Sequence, residues 1–179
     1  MINKAKAAVV DLLNNLQCLR LFHVQEYLRG AFSGDSWLID KTLNQLKTAG
    51  YIAIQNGLIM LPGRKPNENI LRAADVMITL TKGRFIRVIR GDKLFTLIYA
   101  IHSKTGGEAY FGIIMTKLWS EEHICRELQT IDESITIIFV LETMEQQIRI
   151  HIKNNHYFAL SDEHDNYKFY KTAAAVNLN

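Results

Sequence analysis

Ser36, Asp40, Lys41, Asn44, Gln45, Lys47 and Thr48 fall close together in this 179-residue chain, and their types suit the edges of nucleic-acid bases. An amide such as that of Asn44 or Gln45 pairs with adenine, while Lys41 or Lys47 reaches guanine or a phosphate. Arg64 and Lys65 add two cations a little further on. A plain solvated helix face would carry the same residue types, so their placement has to decide between the two readings. Asp92, Glu108 and Glu142 form a second candidate group, because they stand near the ends of apolar runs. Acids so placed could hold the divalent ions of a metal-dependent nuclease.

Five of the six histidines, His102, His123, His151, His156 and His164, lie in the second half. Zinc needs several ligands converging at recognisable spacings. The step from His151 to His156 has no cysteine near it, and His164 among Asp162, Glu163 and Asp165 reads as a polar turn. Gly-x-Gly-x-x-Gly, P-loop and Gly-x-Ser-x-Gly motifs are absent. The expectation is therefore no cofactor, no metal site and no catalytic residue.

Composition sets the frame for these groups. With 48% hydrophobic and 22% charged residues the chain is of ordinary globular make-up. The start MINKAKAAVVDLLNN lacks the apolar stretch of a signal peptide, and no apolar run is long enough to span a bilayer. A cytoplasmic protein with no membrane partner is expected. Cys18 and Cys125, in apolar stretches read as helical, suit buried thiols in a reducing compartment. Residues 1–83 hold 10 Lys+Arg against 6 Asp+Glu, and residues 84–179 hold 11 against 12. The basic excess thus lies in the half that carries the base-reading candidates.

The elements that must position these residues follow from periodicity. Ala8, Val9, Leu12, Leu13 and Leu16 recur at helical spacing and predict a helix over Lys4–Leu16. Leu21, Val24, Tyr27 and Leu28 predict a second over Arg20–Arg29, with Gly30 as its left-handed cap. After a turn at Ala31–Gly34 and a cap from Asp35 or Ser36, a third helix runs over Trp37–Ala49 on a core face of Leu38, Ile39, Thr42, Leu43, Leu46 and Ala49. Asn56-Gly57 is a strong hairpin signal, because both residues tolerate the positive φ of a type I′ turn.

Helix, helix, helix and hairpin within Lys4 to Pro62, with LKTAGYIAIQNGLIML as the most telling stretch, resemble the winged-helix family of DNA-binding domains. The resemblance implies that the third helix lies in the major groove and that Arg64 and Lys65 sit near a wing, although the Asn56-Gly57 tip itself carries no charge.

Pro62 to Asn69 reads as a linker, and Ile70–Thr81 as a fourth helix closed by Gly83. Phe85–Ile89, Phe95–Ile101, Ala109–Met115, Ile135–Leu141, Tyr157–Leu160 and Tyr167–Tyr170 read as strands. A helix opened by Ser120 follows the third of these, and Met144–His151 is ambiguous between helix and strand. Ile135–Leu141 has only Thr136 polar, which predicts an interior strand covered on both faces, Ile70–Thr81 and Ser120–Thr130 being the available covers. Phe95–Ile101 and Ala109–Met115 are expected to pair antiparallel. Arg84, Arg87 and Arg90 would form no single patch on a strand.

The whole is expected to be an α+β fold: a winged-helix domain over 1–62, a linker over 63–69, a small mixed-sheet α/β domain flanked by helices over 70–171, and a flexible tail over 172–179. The sheet order of the second part resembles the restriction-endonuclease-like fold, whose nucleases hold a divalent metal with an acid on one strand and an acid-x-Lys element on the next, the lysine orienting the attacking water. The chain contains no Asp-x-Lys or Glu-x-Lys triplet, so the resemblance implies a degenerate version. The overall layout, with FTLIYAIHSKTGGEAYFGIIMTK as a further stretch, resembles replication-relaxation-type proteins of bacterial plasmids and conjugative elements. That resemblance implies a non-catalytic, double-stranded-DNA-binding accessory or regulatory protein for replication, maintenance or transfer of a mobile element. The alternatives are an interaction module with a protein partner or homodimer and no nucleic acid, and a metal-dependent nuclease.

Overall fold

The computed structural model describes residues 2–32, 36–163 and 166–171. Ser33, Gly34 and Asp35 of the expected turn and cap, His164 and Asp165, and the expected tail from 172 onward lie outside the described residues. The protein is α+β, with a three-stranded sheet in the order β1-β3-β2 and a mixed sheet that carries β5-β6-β7-β8-β9 in that order. Two compact units divide at Arg90/Gly91. No helix among the described residues is long and apolar enough to cross a membrane.

In the first unit α1 (Ile2–Leu16) buries Ala5, Val9, Leu12, Leu13 and Leu16, the stripe that its periodicity demands. Gln17, at φ 68°, turns the chain sharply into a short strand β1 (Cys18–Arg20). Nothing in the sequence signals β1, because three residues are too few to show a period. Cys18 is thus buried in a strand rather than a helix, and its Sγ accepts the Asn67 N–H at 3.2 Å. β1 pairs antiparallel with β3 (Leu58–Met60), which pairs with β2 (Ala53–Gln55) across the Asn56-Gly57 turn at φ 49° and 75°. The hairpin is the expected one.

Helix α2 (Leu21–Phe32) runs through Gly30, which is no cap. Gly30 is there for space: a Cβ at this position would lie 2.7 Å from the Gly83 carbonyl carbon. Gly83, at φ 74°, in turn lies against the Glu26 carbonyl, so the end of α4 meets the middle of α2 backbone to backbone. Helix α3 (Ser36–Thr48) buries Leu38, Ile39, Thr42, Leu43 and Leu46 as expected, while Ala49 is exposed. Helix α4 (Glu68–Thr81) starts inside the expected linker, because Asn67 caps it, its Oδ1 accepting the Ile70 N–H at 3.2 Å. It packs on α2 and β1 and so belongs to the first unit, which is why the units divide later than the Pro62–Asn69 segment. The strand β4 (Arg87–Arg90) closes this unit's sequence.

The second unit contains β5 (Leu97–His102), β6 (Glu108–Met115), α5 (Glu121–Leu128), β7 (Thr136–Leu141), a 3-10 helix (Met144–Arg149), β8 (His156–Ser161) and β9 (Tyr167–Lys171). β5 and β6 form the expected antiparallel hairpin. β6, β7 and β8 run parallel, and β9 returns antiparallel. β7 is interior, as its apolar run requires. Ile137, Phe139 and Leu141 pack with Ile124 and Leu128 of α5 and with Ile150 and Phe158. Ile138 and Val140, which alternate to the opposite side, are each 1% exposed. A Cβ on Gly112 would collide with the Phe95 ring, so β6 needs glycine at that crossing. Ser120 precedes α5 without capping it; its Oγ donates to the Lys117 carbonyl at 2.7 Å instead.

Val140→Asp should remove the cooperative melting of the second unit. An unpaired carboxylate buried between β6 and β8 costs several kcal/mol, against a typical stability of roughly 5–15 kcal/mol. Thermal unfolding followed by circular dichroism checks this, and a melt within a few degrees of wild type would place Val140 at an exposed edge.

Candidate functional site

Every base-reading candidate is exposed: Ser36, Lys41, Asn44, Gln45, Lys47 and Thr48 on α3, and Arg64 and Lys65 after β3. Helical spacing sorts them further. The buried side of α3 is Leu38, Ile39, Thr42, Leu43 and Leu46. Trp37, Lys41, Asn44 and Thr48 recur at steps of four, three and four on the opposite side, and so form one stripe. Ser36, Asp40 and Lys47 flank the stripe on one side. Gln45 flanks it on the other, where it lines a groove of about 380 Å³ with Lys6, Val10 and Asn14 of α1. Trp37, 64% exposed, carries the Lys41 ammonium 4.5 Å above its ring. In sequence Trp37 is only the opening residue of a helix. Its signal is that a large apolar residue stands on the polar side of the helical wheel.

In the first unit β1, α2 and α4 are joined by a polar cluster that periodicity could not reveal. His23 is fully buried and its Nδ1 accepts the Arg20 N–H at 3.2 Å, so the neutral ring carries its proton on Nε2, which donates to Asp75 Oδ1 at 2.6 Å. Arg20 Nε donates to both Asp75 oxygens, at 3.1 and 3.3 Å. The imidazole thus closes the first turn of α2 in the manner of a capping-box side chain. Burial pushes the His23 pKa below its usual value and outweighs the pull of the Asp75 carboxylate.

The second unit holds a comparable cluster after β6 and β7. Glu121, 2% exposed, accepts from Gln146 Nε2 at 2.8 Å, and Gln146 Oε1 accepts the N–H groups of Glu142 and Thr143 at 2.7 and 3.1 Å. Burial alone would raise the Glu121 pKa, but the Gln146 amide, with the N–H groups of Glu121 and Trp119, holds it below the usual carboxylate value. Trp119 is in the left-handed region at φ 69°, with the Arg149 guanidinium 4.3 Å over its ring.

The nuclease candidates are not brought together. Asp92 lies exposed before β5. Glu108 opens β6, whereas Glu142 follows β7, which runs parallel to β6 with Val140 opposite Met115. At about 3.3 Å per residue this register separates Glu108 from Glu142 by roughly 30 Å, beyond the reach of one or two bridging metals about 4 Å apart. Glu142 Oε2 instead accepts the Leu118 N–H at 3.1 Å. Elsewhere a cavity of about 660 Å³ is lined by Cys125, Ile131, Ile150, His151, Lys153 and His156. Burial pushes the Cys125 thiol pKa up, away from the thiolate that reactivity requires. Among the described residues no three His, Cys, Asp or Glu side chains are grouped to hold a metal ion. No family model, curated protein or solved structure matches the chain.

The His23 geometry fixes a sign for pH dependence. The folded pKa lies below the unfolded value of about 6.5, so the contribution is complete above that value and is lost as pH falls through it toward the folded pKa. Urea unfolding should show stability falling from pH 7.5 to 5.5. His23→Ala should lower stability at pH 7.5 by about 1.5–3 kcal/mol and flatten that dependence; an unchanged slope in the variant would refute the assignment.

Proposed function

We propose that the chain is a non-catalytic DNA-binding accessory or regulatory protein whose first unit is a winged helix with α3 lying in the major groove. The observation that carries this reading is the single exposed stripe of Trp37, Lys41, Asn44 and Thr48 on α3. The element order α1-β1-α2-α3-β2-β3 with sheet order β1-β3-β2 supports it, because that is how a winged helix braces its third helix against a hairpin. The basic excess of residues 1–83 supports it too. A role in replication, maintenance or transfer of a mobile element rests on the resemblance of layout alone.

Lys41→Glu plus Lys47→Glu should weaken duplex binding and reduce the slope of log K against log salt by about 2, one unit for each cation that no longer meets a phosphate. Fluorescence anisotropy over a salt series measures both. Wild-type protein with no affinity for any duplex at low salt would end the reading.

A second reading has its own observation. Leu118, Trp119 and Ile148 are 47%, 76% and 68% exposed, and Trp and Arg are enriched among interface hot spots. This supports partner or homodimer contacts made by the second unit. Trp119→Ala should then weaken self-association in sedimentation equilibrium without changing duplex affinity. Wild-type protein that is monomeric at every concentration would remove the homodimer.

A further inference from the structure

Resting on the DNA-binding reading, we infer that the α3 stripe selects A·T pairs, with the exposed indole of Trp37 packing on the C5-methyl group of thymine. Trp37 lies in the first turn of α3, and residues near the N-terminus of a recognition helix are the ones that reach base edges. The indole is the largest apolar surface that α3 leaves in water, at 64% exposure. In the major groove the thymine C5-methyl is the one methyl group that a base edge offers, and packing on it would remove part of that surface from water.

Asn44 on the same stripe points the same way, because it carries the amide that pairs with adenine N6 and N7. Guanine is read by arginine or lysine; α3 has no arginine, and its Lys47 flanks the stripe rather than standing on it. Its cation on the stripe, Lys41, lies over the Trp37 ring at 4.5 Å, which ties the ammonium to the indole. An ammonium so placed acts as a point charge for the neighbouring phosphate.

The test compares a short A·T duplex with the same duplex in which every thymine is replaced by uracil, which deletes the methyl and keeps the pairing. Anisotropy titrations use the full chain, its Trp37→Ala variant and its Trp37→Phe variant, each first shown to melt like wild type. Wild type should bind the thymine duplex about fourfold more tightly for each methyl it covers. Trp37→Ala should bind both duplexes equally and keep its salt dependence, and Trp37→Phe should keep part of the preference. Equal wild-type binding to both duplexes, or a preference that survives in Trp37→Ala, overturns the inference and leaves the DNA-binding reading standing. No wild-type binding to either duplex or to a G·C duplex overturns both.

Discussion

The Asp75 carboxylate is the group on which three elements of the first unit converge. It sits on α4 and accepts hydrogen bonds from the Nε2–H of His23 on α2 and the Nε–H of Arg20 on β1. A three-residue strand such as β1 has too little pairing to be stable alone. This side-chain anchor holds β1 to α2 and α4 in addition to its ladder with β3. From β1 the constraint passes to the hairpin, since the Leu21 N–H donates to the Gly57 carbonyl at 2.7 Å and ties the turn to the start of α2. Removing the carboxylate would leave the buried imidazole N–H without an acceptor, while Arg20 keeps its ion pair with Glu68 at 3.3 Å, and an unpaired buried polar group costs more than a made hydrogen bond contributes.

A different constraint governs the second unit. Three adjacent parallel strands require crossovers, and β7, lying between two of them, is apolar on both sides. The loops leaving β6 and β7 are consequently close neighbours, and Gln146 bridges them by accepting from Glu142 and Thr143 while donating to Glu121. A buried carboxylate is tolerable there because its oxygens meet donors on more than one segment. The left-handed Trp119 is fixed by the same bridge, which explains how a non-glycine residue holds that backbone conformation while its side chain stays in water.

Much of the fold is legible in the sequence because it follows from periodicity and turn chemistry. The stripe Val9, Leu12, Leu13, Leu16 specifies α1, Asn56-Gly57 specifies the β2–β3 turn, and the apolar run into Leu141 specifies an interior strand. What stays hidden depends on contacts distant in sequence. Arg20 and His23 meet Asp75 more than fifty residues away, and Glu121 meets Gln146 twenty-five residues on. Gly30 reads as a cap because only the presence of Gly83 against α2 shows why it must lack a side chain. Ser120 reads as a cap because a serine before two acids fits that pattern, while its hydroxyl has a nearer acceptor in the Lys117 carbonyl. For the candidate site, the exposed polar residues of α3 are legible, but Trp37 as their companion is not.

The carboxylates of Asp75 and Glu121 also show why a polar cluster is a poor guide to chemistry until its partners are placed. Asp75 beside His23 has the composition of a catalytic dyad. A general base, however, needs an open side within about 3 Å of the proton it takes. His23 is fully buried, with one ring nitrogen held by a backbone N–H and the other by Asp75, so both of its hydrogen-bonding positions are used within the fold. Glu121 is likewise met by Gln146 and by backbone donors. Both groups fix where neighbouring segments stand. Elsewhere each unit leaves in water an indole with a cation over its face, Trp37 with Lys41 on α3 and Trp119 with Arg149 after β6. Such a pair keeps a large apolar surface soluble until an apolar or π surface displaces the water around it, which is the physical property that the proposed DNA and partner contacts have in common.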